Sequence, residues 1–423
     1  LLYDDAGMEK IYEKFRDAKV DGLFVPHCNF GTEYEVCRLA KKLNVPVLLW
    51  GPRDECPDEN GMRLRDSQCG LFATGKVLRR FGIPFTYLKN CNLEDECFAE
   101  GIDRFLRVCN VVKAFRNTRV LQISTRPFDF WSTMCNEGEL LEKFGIQLSP
   151  IPMPELTQAM KDVKENSPEE IKEVTDYCRE KMCIKVTPEQ LDNVAALKIA
   201  MTRLGKKYGC NCGAIQCWNA LQDEIGIMPC AANALCNDEG FPIACETDIH
   251  GTITSVLVEA AAMGETRSFF ADWTVRHPYN DNAELLQHCG PWPISIAKEK
   301  PTIDTPVAFD CSGSLMAQAK DGEHISLVRF DGDNGEYSLL LGNAKTVDGP
   351  YTKGTYMWVE VENLDRLEDK LVQGPYIHHC VGVHQDVVPV LYEACKYIGV
   401  TPDLYDPIEE KVKAIIRGEK VEK

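Results

Sequence analysis

Two carboxylates beside a histidine mark the part of the sequence where metal chemistry is most easily built. The segment ACETDIHG (244–251) places Glu246 and Asp248 after an apolar run and before a long helical pattern, and RSFFAD ends a second apolar run on Asp272. Carboxylates that face one crevice repel each other unless a cation or a shared proton neutralises them. A divalent metal ion is the simplest neutralising partner.

A strand, a helix and a second strand must position these acids. The pattern predicts a strand over 241–246, a helix over 248–264 and a strand over 267–272. A crossover of this kind makes its two strands parallel neighbours. Glu246 and Asp272, each at the end of its strand, are then expected at one carboxyl edge, which is where open α/β sheets bind ligands.

Histidines near the end of the chain are candidate further ligands. In YIHHCVGVHQD, His378 and His379 stand at the head of a predicted strand that leads into a helix. A Glu, Asp and His set with water in the open positions suits Mn²⁺ or Mg²⁺ better than structural zinc. The residues alone leave a second interpretation open, in which Glu246 and Asp248 complement a helix dipole and the histidines are hydrogen-bonded core residues.

The surrounding pattern predicts the class α/β, with two doubly wound parallel-sheet domains plus a C-terminal mainly antiparallel β domain. Helices alternate with apolar strands over 1–118, and a second alternation over 119–300 carries the acids. Over 301–423 the period becomes two around Gly, Asn and Asp turns, beginning with DTPVAFDCSGS (304–314). A returning strand and helix supply the histidines to this last domain.

Composition excludes several classes of protein. The 423 residues carry a formal net charge of −18, which argues against nucleic acid or an anionic membrane as the partner. No run of eighteen apolar residues predicts a membrane span. The 20 cysteines are scattered without a CxxC pair, so we expect reduced thiols in a cytoplasmic protein.

Two further motifs have competing interpretations. GCNCGAIQC (209–217) could be a metal–thiolate cluster, but without a second matched pair the pattern favours cysteines in a core. DGDNGE (331–336) lacks the glycine spacing and the bidentate glutamate of a calcium loop, so a hairpin turn is predicted.

The chain resembles the L-fucose isomerase and L-arabinose isomerase superfamily, particularly its L-fucose isomerase-like members. CETDIHGTITSVLVEAAA, FFADWTVRHPYNDNAELLQHCG and HHCVGVHQDVVPVLYEACKYIGV look like the metal-binding segments of these enzymes, and MCNEGELLEKFGI and SQCGLFATGKVLRRFGIPF extend the likeness over nearly the whole chain. The resemblance implies that Glu246, Asp272 and His379 bind Mn²⁺, with Co²⁺ or Mg²⁺ as alternatives. His379 is preferred over His378 because it keeps the distance to the following helix.

The same resemblance implies an aldose–ketose isomerase that works through an enediol, with Glu246 and Asp272 moving the protons. The monosaccharide stays open among L-fucose, L-arabinose, D-arabinose, D-galactose and an acidic or sulfonated hexose. A homo-oligomer, trimer or hexamer, is expected, in which a neighbour's N-terminal domain completes the pocket. A metal-dependent sugar aldolase or lyase and a non-catalytic sugar-binding protein remain alternatives.

Other polar and aromatic residues follow the predicted strand ends and are candidates for substrate binding. Asn282 and Glu284 are expected to cap a following helix, and His288, one turn further on, to face the site. Trp273 and His277 equally suit a loop that packs on its own aromatic residues. The candidates for substrate binding are Arg126, Asn136, Gln216, Trp218, Trp273, His277 and His378.

Overall fold

The structure is a computed structural model that describes residue 2 and residues 4–306 and 310–421. Residues 307–309 of the predicted segment 304–314 lie outside the described residues. In the part of the chain that the structure describes, every helix is too short or too polar to cross a membrane.

The chain divides into two compact units. The smaller unit comprises Leu1–Lys113, Pro389–Gly399 and Pro407–Lys423, and the larger comprises Ala114–Val388 and Val400–Asp406. The domain boundaries predicted from the sequence, after residues 118 and 300, remain predictions.

Helices and strands alternate along much of the chain. The helices are α1 (Asp5–Asp17), α2 (Glu33–Leu43), α3 (Ser67–Arg80), α4 (Glu96–Arg116), α5 (Glu137–Glu139), α6 (Met153–Asn166), α7 (Pro168–Lys181), α8 (Pro188–Tyr208), α9 (Ala220–Ile225), α10 (Cys230–Asp238), α11 (Ile249–Ala261), α12 (Leu364–Gln373), α13 (Val388–Ile398) and α14 (Glu409–Ile416). A π-helical turn (Leu140–Phe144) follows α5, and 3₁₀ turns cover Trp131–Thr133 and Ile294–Ile296.

The strands divide among three sheets. They are β1 (Leu23–Pro26), β2 (Val47–Trp50), β3 (Thr86–Tyr87), β4 (Arg119–Ile123), β5 (Gln147–Ile151), β6 (Cys183–Ile184), β7 (Cys212–Ile215), β8 (Ile243–Ala244), β9 (Phe269–Arg276), β10 (Ala283–His288), β11 (Thr302–Asp304), β12 (Ser314–Gln318), β13 (Ile325–Asp333), β14 (Glu336–Val347), β15 (Thr355–Glu360), β16 (His379–Val383) and β17 (Thr401–Leu404).

Two of the sheets are entirely parallel. In the smaller unit the order is β1-β2-β3, and in the larger unit it is β5-β4-β7-β8. The strands of these sheets are short apolar runs such as Val47–Trp50, all four residues of which are buried, as strands covered on both faces require. The predicted α/β class with two parallel sheets is therefore confirmed.

Six strands of the larger unit close into a barrel. The antiparallel pairs run β14–β13–β16–β9–β10–β15, and β15 pairs back to β14. Closure pairs the backbone groups of edge strands, which would otherwise be exposed. Phe269, Leu286, Leu327, Leu340 and Met357 fill the core of this barrel. The predicted mainly antiparallel region is confirmed, and its sheet takes in strands from both sides of residue 300.

The crossover predicted around α11 is wrong in one respect. β8 lies in the parallel sheet, whereas β9 belongs to the barrel and pairs antiparallel with β10 and β16. Asp272 also does not end its strand, since β9 continues to Arg276. The helical connection is present, but the sequence pattern does not show which partner strand β9 selects.

Local signals explain several element boundaries. α8 begins with a capping box, in which the Thr187 hydroxyl accepts from the Gln190 backbone N–H at 3.2 Å and the Gln190 side chain accepts from the Thr187 backbone N–H at 3.0 Å. The predicted turn within 331–336 joins β13 to β14 at Asn334 and Gly335, whose φ angles of 49° and 81° suit a tight hairpin. That hairpin prediction is confirmed. All 20 cysteines are free thiols.

Candidate metal and active site

Glu246 lies in a strained turn that follows β8 in the larger unit. Glu246 and Thr247 follow β8 with φ angles of 53° and 51°, a conformation that costs non-glycine residues about 1–3 kcal/mol each. The Thr247 backbone N–H donates to Ile215 O and its hydroxyl to Thr125 O, both at 3.0 Å. The Cys217 thiol donates to Glu246 Oε1 at 3.2 Å. The turn therefore lies at the carboxyl edge of the parallel sheet, as predicted for Glu246.

Strand pairing brings Asp272 and His379 side by side. They are direct partners in the antiparallel register of β9 and β16. His379 Nε2 lies 3.5 Å from Asp272 Oδ1. One ligand atom each from Asp272, His378 and His379 falls within 4.8 Å of the others, as a shared cation would require. The barrel thus sets the position of Asp272, which the sequence pattern attributed to a parallel crossover beside Glu246.

His288 connects Glu246 to this pair. It ends β10, and its Nε2 lies 3.4 Å from Glu246 Oε2 and 3.9 Å from Asp272 Oδ1. Its Nδ1 accepts the backbone N–H of Cys289 at 2.9 Å. This bond leaves Nε2–H to face the two carboxylates. Burial would lower the pKa of His288, but Asp272 and Glu246 outweigh it and raise that pKa to about 9.

A buried ionic network lies behind His379. Asp248 Oδ2 accepts from His379 Nδ1 at 2.8 Å, and the same carboxylate pairs with Arg329 Nη1 and, at 3.1 Å, with Nη2. Arg329 is 1% exposed and also bonds Asp331 at 2.9 Å, and Asp331 in turn contacts His250 Nδ1 at 2.9 Å. Because Nδ1 of His379 donates to Asp248, the lone pair of Nε2 is free to face Asp272.

Asp248 also caps the helix that follows it. Its Oδ1 accepts the backbone N–H of Gly251 at 2.9 Å, so it caps the N-terminus of α11. Asp248 is therefore the N-cap residue of α11. One carboxylate therefore fixes both the start of the helix and the orientation of a candidate metal ligand.

Charge neighbours decide which groups are ionised. Burial would raise the pKa of Glu246, but His288 and His379 outweigh it and hold that pKa below its ordinary value. Burial likewise opposes ionisation of Asp248, and Arg329 and His379 together drive its pKa well below the usual range. The pKa of His378 is lowered by burial and then by the adjacent His379. Both carboxylates are thus anionic at neutral pH, and His378 is neutral.

The donor atoms fit a hard divalent cation. Glu246 Oε2 and Asp272 Oδ1 are buried and have no hydrogen-bond partner among the described residues. His379 Nε2 lies 3.5 Å from Asp272 Oδ1, and in the ring form that carries its proton on Nδ1 both of these atoms are acceptors. Such an arrangement is unfavourable unless a positive charge lies between them. Two carboxylates and one neutral imidazole are ligands that Mn²⁺, Co²⁺ and Mg²⁺ accept.

Comparison with known proteins indicates a sugar isomerase. Residues 1–116 match the model of the fucose/sulfoquinovose isomerase N-terminal domain. The chain is 24% identical to the sulfoquinovose isomerases of Priestia aryabhattai and Priestia megaterium over 405 residues, which is 94% of this chain and 88% of each relative. It is also 24% identical to the sulfoquinovose isomerase of Alkalicoccus urumqiensis over 357 residues, 83% of this chain and 79% of that relative.

These matches support a relationship to the fucose isomerase-like family. The chain is a sugar isomerase, since the likeness to isomerases extends over nearly the whole chain.

Some residues predicted to bind substrate lie near the isomerase site. Phe130 stacks on His379 with ring centroids 5.7 Å apart, and Trp218 meets the edge of Phe130 at 4.9 Å. The His378 ring lies 4.4 Å from that of His379. Gln216 follows β7 at the same sheet edge and accepts from the Ser124 hydroxyl at 2.7 Å.

Four other predicted residues have mainly structural contacts. Arg126 donates to the carbonyls of residues 127, 128 and 130 and stacks over a tryptophan, and Asn136 caps α5. The Trp273 indole is buried in the barrel core. His277 contacts the carbonyl of residue 348 at 3.1 Å and packs against Trp358. The structure does not bring Trp273 or His277 to the Asp272–His379 pair.

Sequence reasoning missed the supporting residues. Asp248 was interpreted as an acid at the start of a helix and not as the partner of His379, and Arg329 and Cys217 were not singled out. Arg329 gives a usable signal, because it is a lone cation within the apolar run HISLVRF, where an unpaired charge would be very costly. The helix expected after Asn282 is wrong: residues 283–288 form β10, which places His288 by strand register.

Proposed function

We propose that this sugar isomerase is a divalent-metal-dependent aldose–ketose isomerase that works through an enediol. The observation that supports it best is the set of unsatisfied acceptors: Glu246 Oε2 and Asp272 Oδ1 lack hydrogen-bond partners among the described residues, and His379 Nε2 turns its lone pair towards Asp272. A reaction that develops negative charge on a sugar oxygen needs positive charge at such a position.

Glu246, Asp272 and His379 would hold the cation, with Mn²⁺ as the first choice and Co²⁺ or Mg²⁺ as alternatives. When bound, such a cation supplies Lewis acidity that stabilises negative charge on the reacting oxygens of the sugar. His379 is favoured over His378 because Asp248 holds its Nδ1–H and so orients Nε2 towards Asp272.

The protein's own carboxylates move the protons. One removes a proton from the carbon beside the carbonyl and returns it to the neighbouring carbon, and the other transfers a proton between the two oxygens. Glu246 is 3% exposed and is held anionic, while the Asp272 side chain is 24% exposed and so reaches a more open position. His288 Nε2 faces both carboxylates, 3.4 Å from Glu246 Oε2 and 3.9 Å from Asp272 Oδ1, without forming a hydrogen bond to either oxygen.

The relatives' names suggest the first substrate to test. Sulfoquinovose, a sulfonated hexose, belongs to the acidic and sulfonated sugars that the sequence analysis left open. A sulfonate needs a fixed cation, and Arg126 is a suitable group because backbone carbonyls and Trp131 hold its guanidinium in place. The proposed working form is a cytoplasmic trimer or hexamer in which a neighbouring N-terminal domain completes the pocket.

Deuterium wash-in tests the chemistry. The full chain is incubated in D₂O with sulfoquinovose and a panel of aldoses, with Mn²⁺ or with chelator, and deuterium at the carbon beside the carbonyl is followed by NMR together with ketose formation. We expect metal-dependent label in one or a few sugars. Formation of two smaller carbonyl compounds would instead indicate a lyase, and binding without exchange would indicate a sugar-binding protein.

Two variants localise the proton transfer. Glu246→Gln and Asp272→Asn should each lower turnover by about 10²–10⁴-fold, the usual contribution of a positioned acid or base. Glu259→Gln is the matched control, since Glu259 is a buried acid of the same unit that bonds Ser268 instead. Equal turnover of Glu246→Gln and the control would refute the assignment.

A further inference from the structure

The smaller unit contains a second cluster of side chains that could hold a metal ion, and none of them is a candidate isomerase residue. Cys91, Asp95 and Cys97 lie in the connection from β3 to α4 and in the first turn of α4. One ligand atom from each falls within 4.8 Å of the other two. The cluster is independent of the proposed function, because all three residues belong to the unit that carries neither Glu246 nor Asp272.

The distances between the three ligand atoms suit a thiophilic cation with tetrahedral coordination. Zinc–sulfur bonds of about 2.3 Å and zinc–oxygen bonds of about 2.0–2.2 Å place tetrahedral ligand atoms about 3.5–3.8 Å apart. The three ligand atoms all lie within 4.8 Å of one another, so a bound cation would need to draw them together by no more than about 1 Å. Two sulfurs and one carboxylate favour zinc or cadmium over manganese or magnesium, which prefer oxygen ligands.

The surroundings hold the ligands in place and favour positive charge. Trp50 Nε1 donates to Cys91 Sγ at 3.3 Å, and Asp95 Oδ2 accepts the backbone N–H of Asn92 at 2.8 Å. A Cβ added at Gly418 would lie 3.1 Å from Cys97 Cβ, so the C-terminal turn covers one side of the cluster. The sequence CNLEDEC places three consecutive acids, residues 94–96, between the two thiols, which attracts cations.

We propose that Cys91, Asp95 and Cys97 form a binding site for a thiophilic divalent cation such as Zn²⁺, with water as the fourth ligand. Asp95 lies at the surface and Cys97 is half-buried, so a cation reaches the site without unfolding the unit. The bound cation fixes the β3–α4 connection to the first turn of α4.

Cadmium titration of the reduced full-length chain tests this site, with thiolate-to-cadmium charge-transfer absorption as the readout. We expect Cys97→Ser to weaken one cadmium site by more than about 100-fold, since even the loss of an outer partner costs about 10–100-fold. Asp95→Asn, at an exposed position that tolerates substitution, should weaken the same site by about 10-fold or more.

Cys56→Ser is the matched control, because Cys56 is an exposed thiol of the same unit outside the cluster. Titrations that are identical for wild type and Cys97→Ser would overturn the proposal, as would an equal loss in Cys56→Ser. The absorption does not depend on turnover, so this result is separate from the outcome of the deuterium experiment.

Discussion

A buried acid in the barrel should make the larger unit less stable at neutral pH than at mildly acidic pH. Glu284 lies in β10, opposite Val359 of β15, and is 8% exposed. Burial, followed by repulsion from Glu368, raises the pKa of Glu284 to about 7, against the opposing effect of Arg276. In the unfolded chain the same carboxyl titrates near its ordinary value of 4.5.

The sign and size of the effect follow from proton linkage. Between about pH 4.5 and 7 the folded state holds a proton on Glu284 that the unfolded state has released, so the free energy of unfolding falls as the pH rises through this window. A difference of about 2.5 pKa units at about 1.36 kcal/mol per unit gives roughly 3 kcal/mol. Above pH 7 the free energy of unfolding is lower by this full amount, because the folded protein must then bury the ionised carboxylate of Glu284.

Glu284→Gln should therefore stabilise the larger unit by about 3 kcal/mol at pH 7.5 and leave it nearly unchanged at pH 4.5. The measurement is urea-induced unfolding of both proteins across this range. Glu360→Gln is the matched control on the paired strand β15. Lys345 and then Asn280 lower the pKa of Glu360, so removing its carboxylate should not stabilise the larger unit at neutral pH. A pH-independent difference between Glu284→Gln and wild type would refute the reasoning.

Two further predictions concern the site and the barrel. Asp248→Asn should weaken Mn²⁺ binding by about 10–100-fold, measured by calorimetry, because His379 loses its anionic partner. The same change should lower the free energy of unfolding by about 3–5 kcal/mol, since Arg329 keeps its buried charge and loses one of its two carboxylates. Gly382→Ala should destabilise the barrel by at least about 1–3 kcal/mol in the same unfolding assay, because the new Cβ would lie 2.1 Å from Cζ of the fully buried Phe269.

A control substitution accompanies each of these two variants, Asp248→Asn and Gly382→Ala. Asp333→Asn alters an exposed acid of the same strand as Arg329, so Mn²⁺ affinity equal to that of Asp248→Asn would contradict the role of Asp248. Gly138→Ala places its Cβ 3.5 Å from Asn136 Oδ1 and no closer to any other atom. If it costs as much stability as Gly382→Ala, the contact with Phe269 is not the cause.

The sequence by itself determined the fold class and much of the chemistry. Hydrophobic periods of 3.6 and 2 distinguish helices from strands, and Asn334–Gly335 marks the β13–β14 hairpin, because these signals are local. The types and positions of Glu246, Asp272 and His379 already suggested a hard cation, since ligand preference depends on donor chemistry. The resemblance of whole motifs led to the correct family.

Only the tertiary structure decided how these residues meet. β9 contains an apolar run that fits a parallel or an antiparallel neighbour equally well, so its place in the barrel depends on the packing of strands far apart in the chain. Register against β16 and β10 then sets Asp272 beside His379 and near His288. The pairing of Asp248 with Arg329 joins residues 81 positions apart in the sequence. A local pattern carries no information about such partners, because burial and pairing are properties of the folded chain.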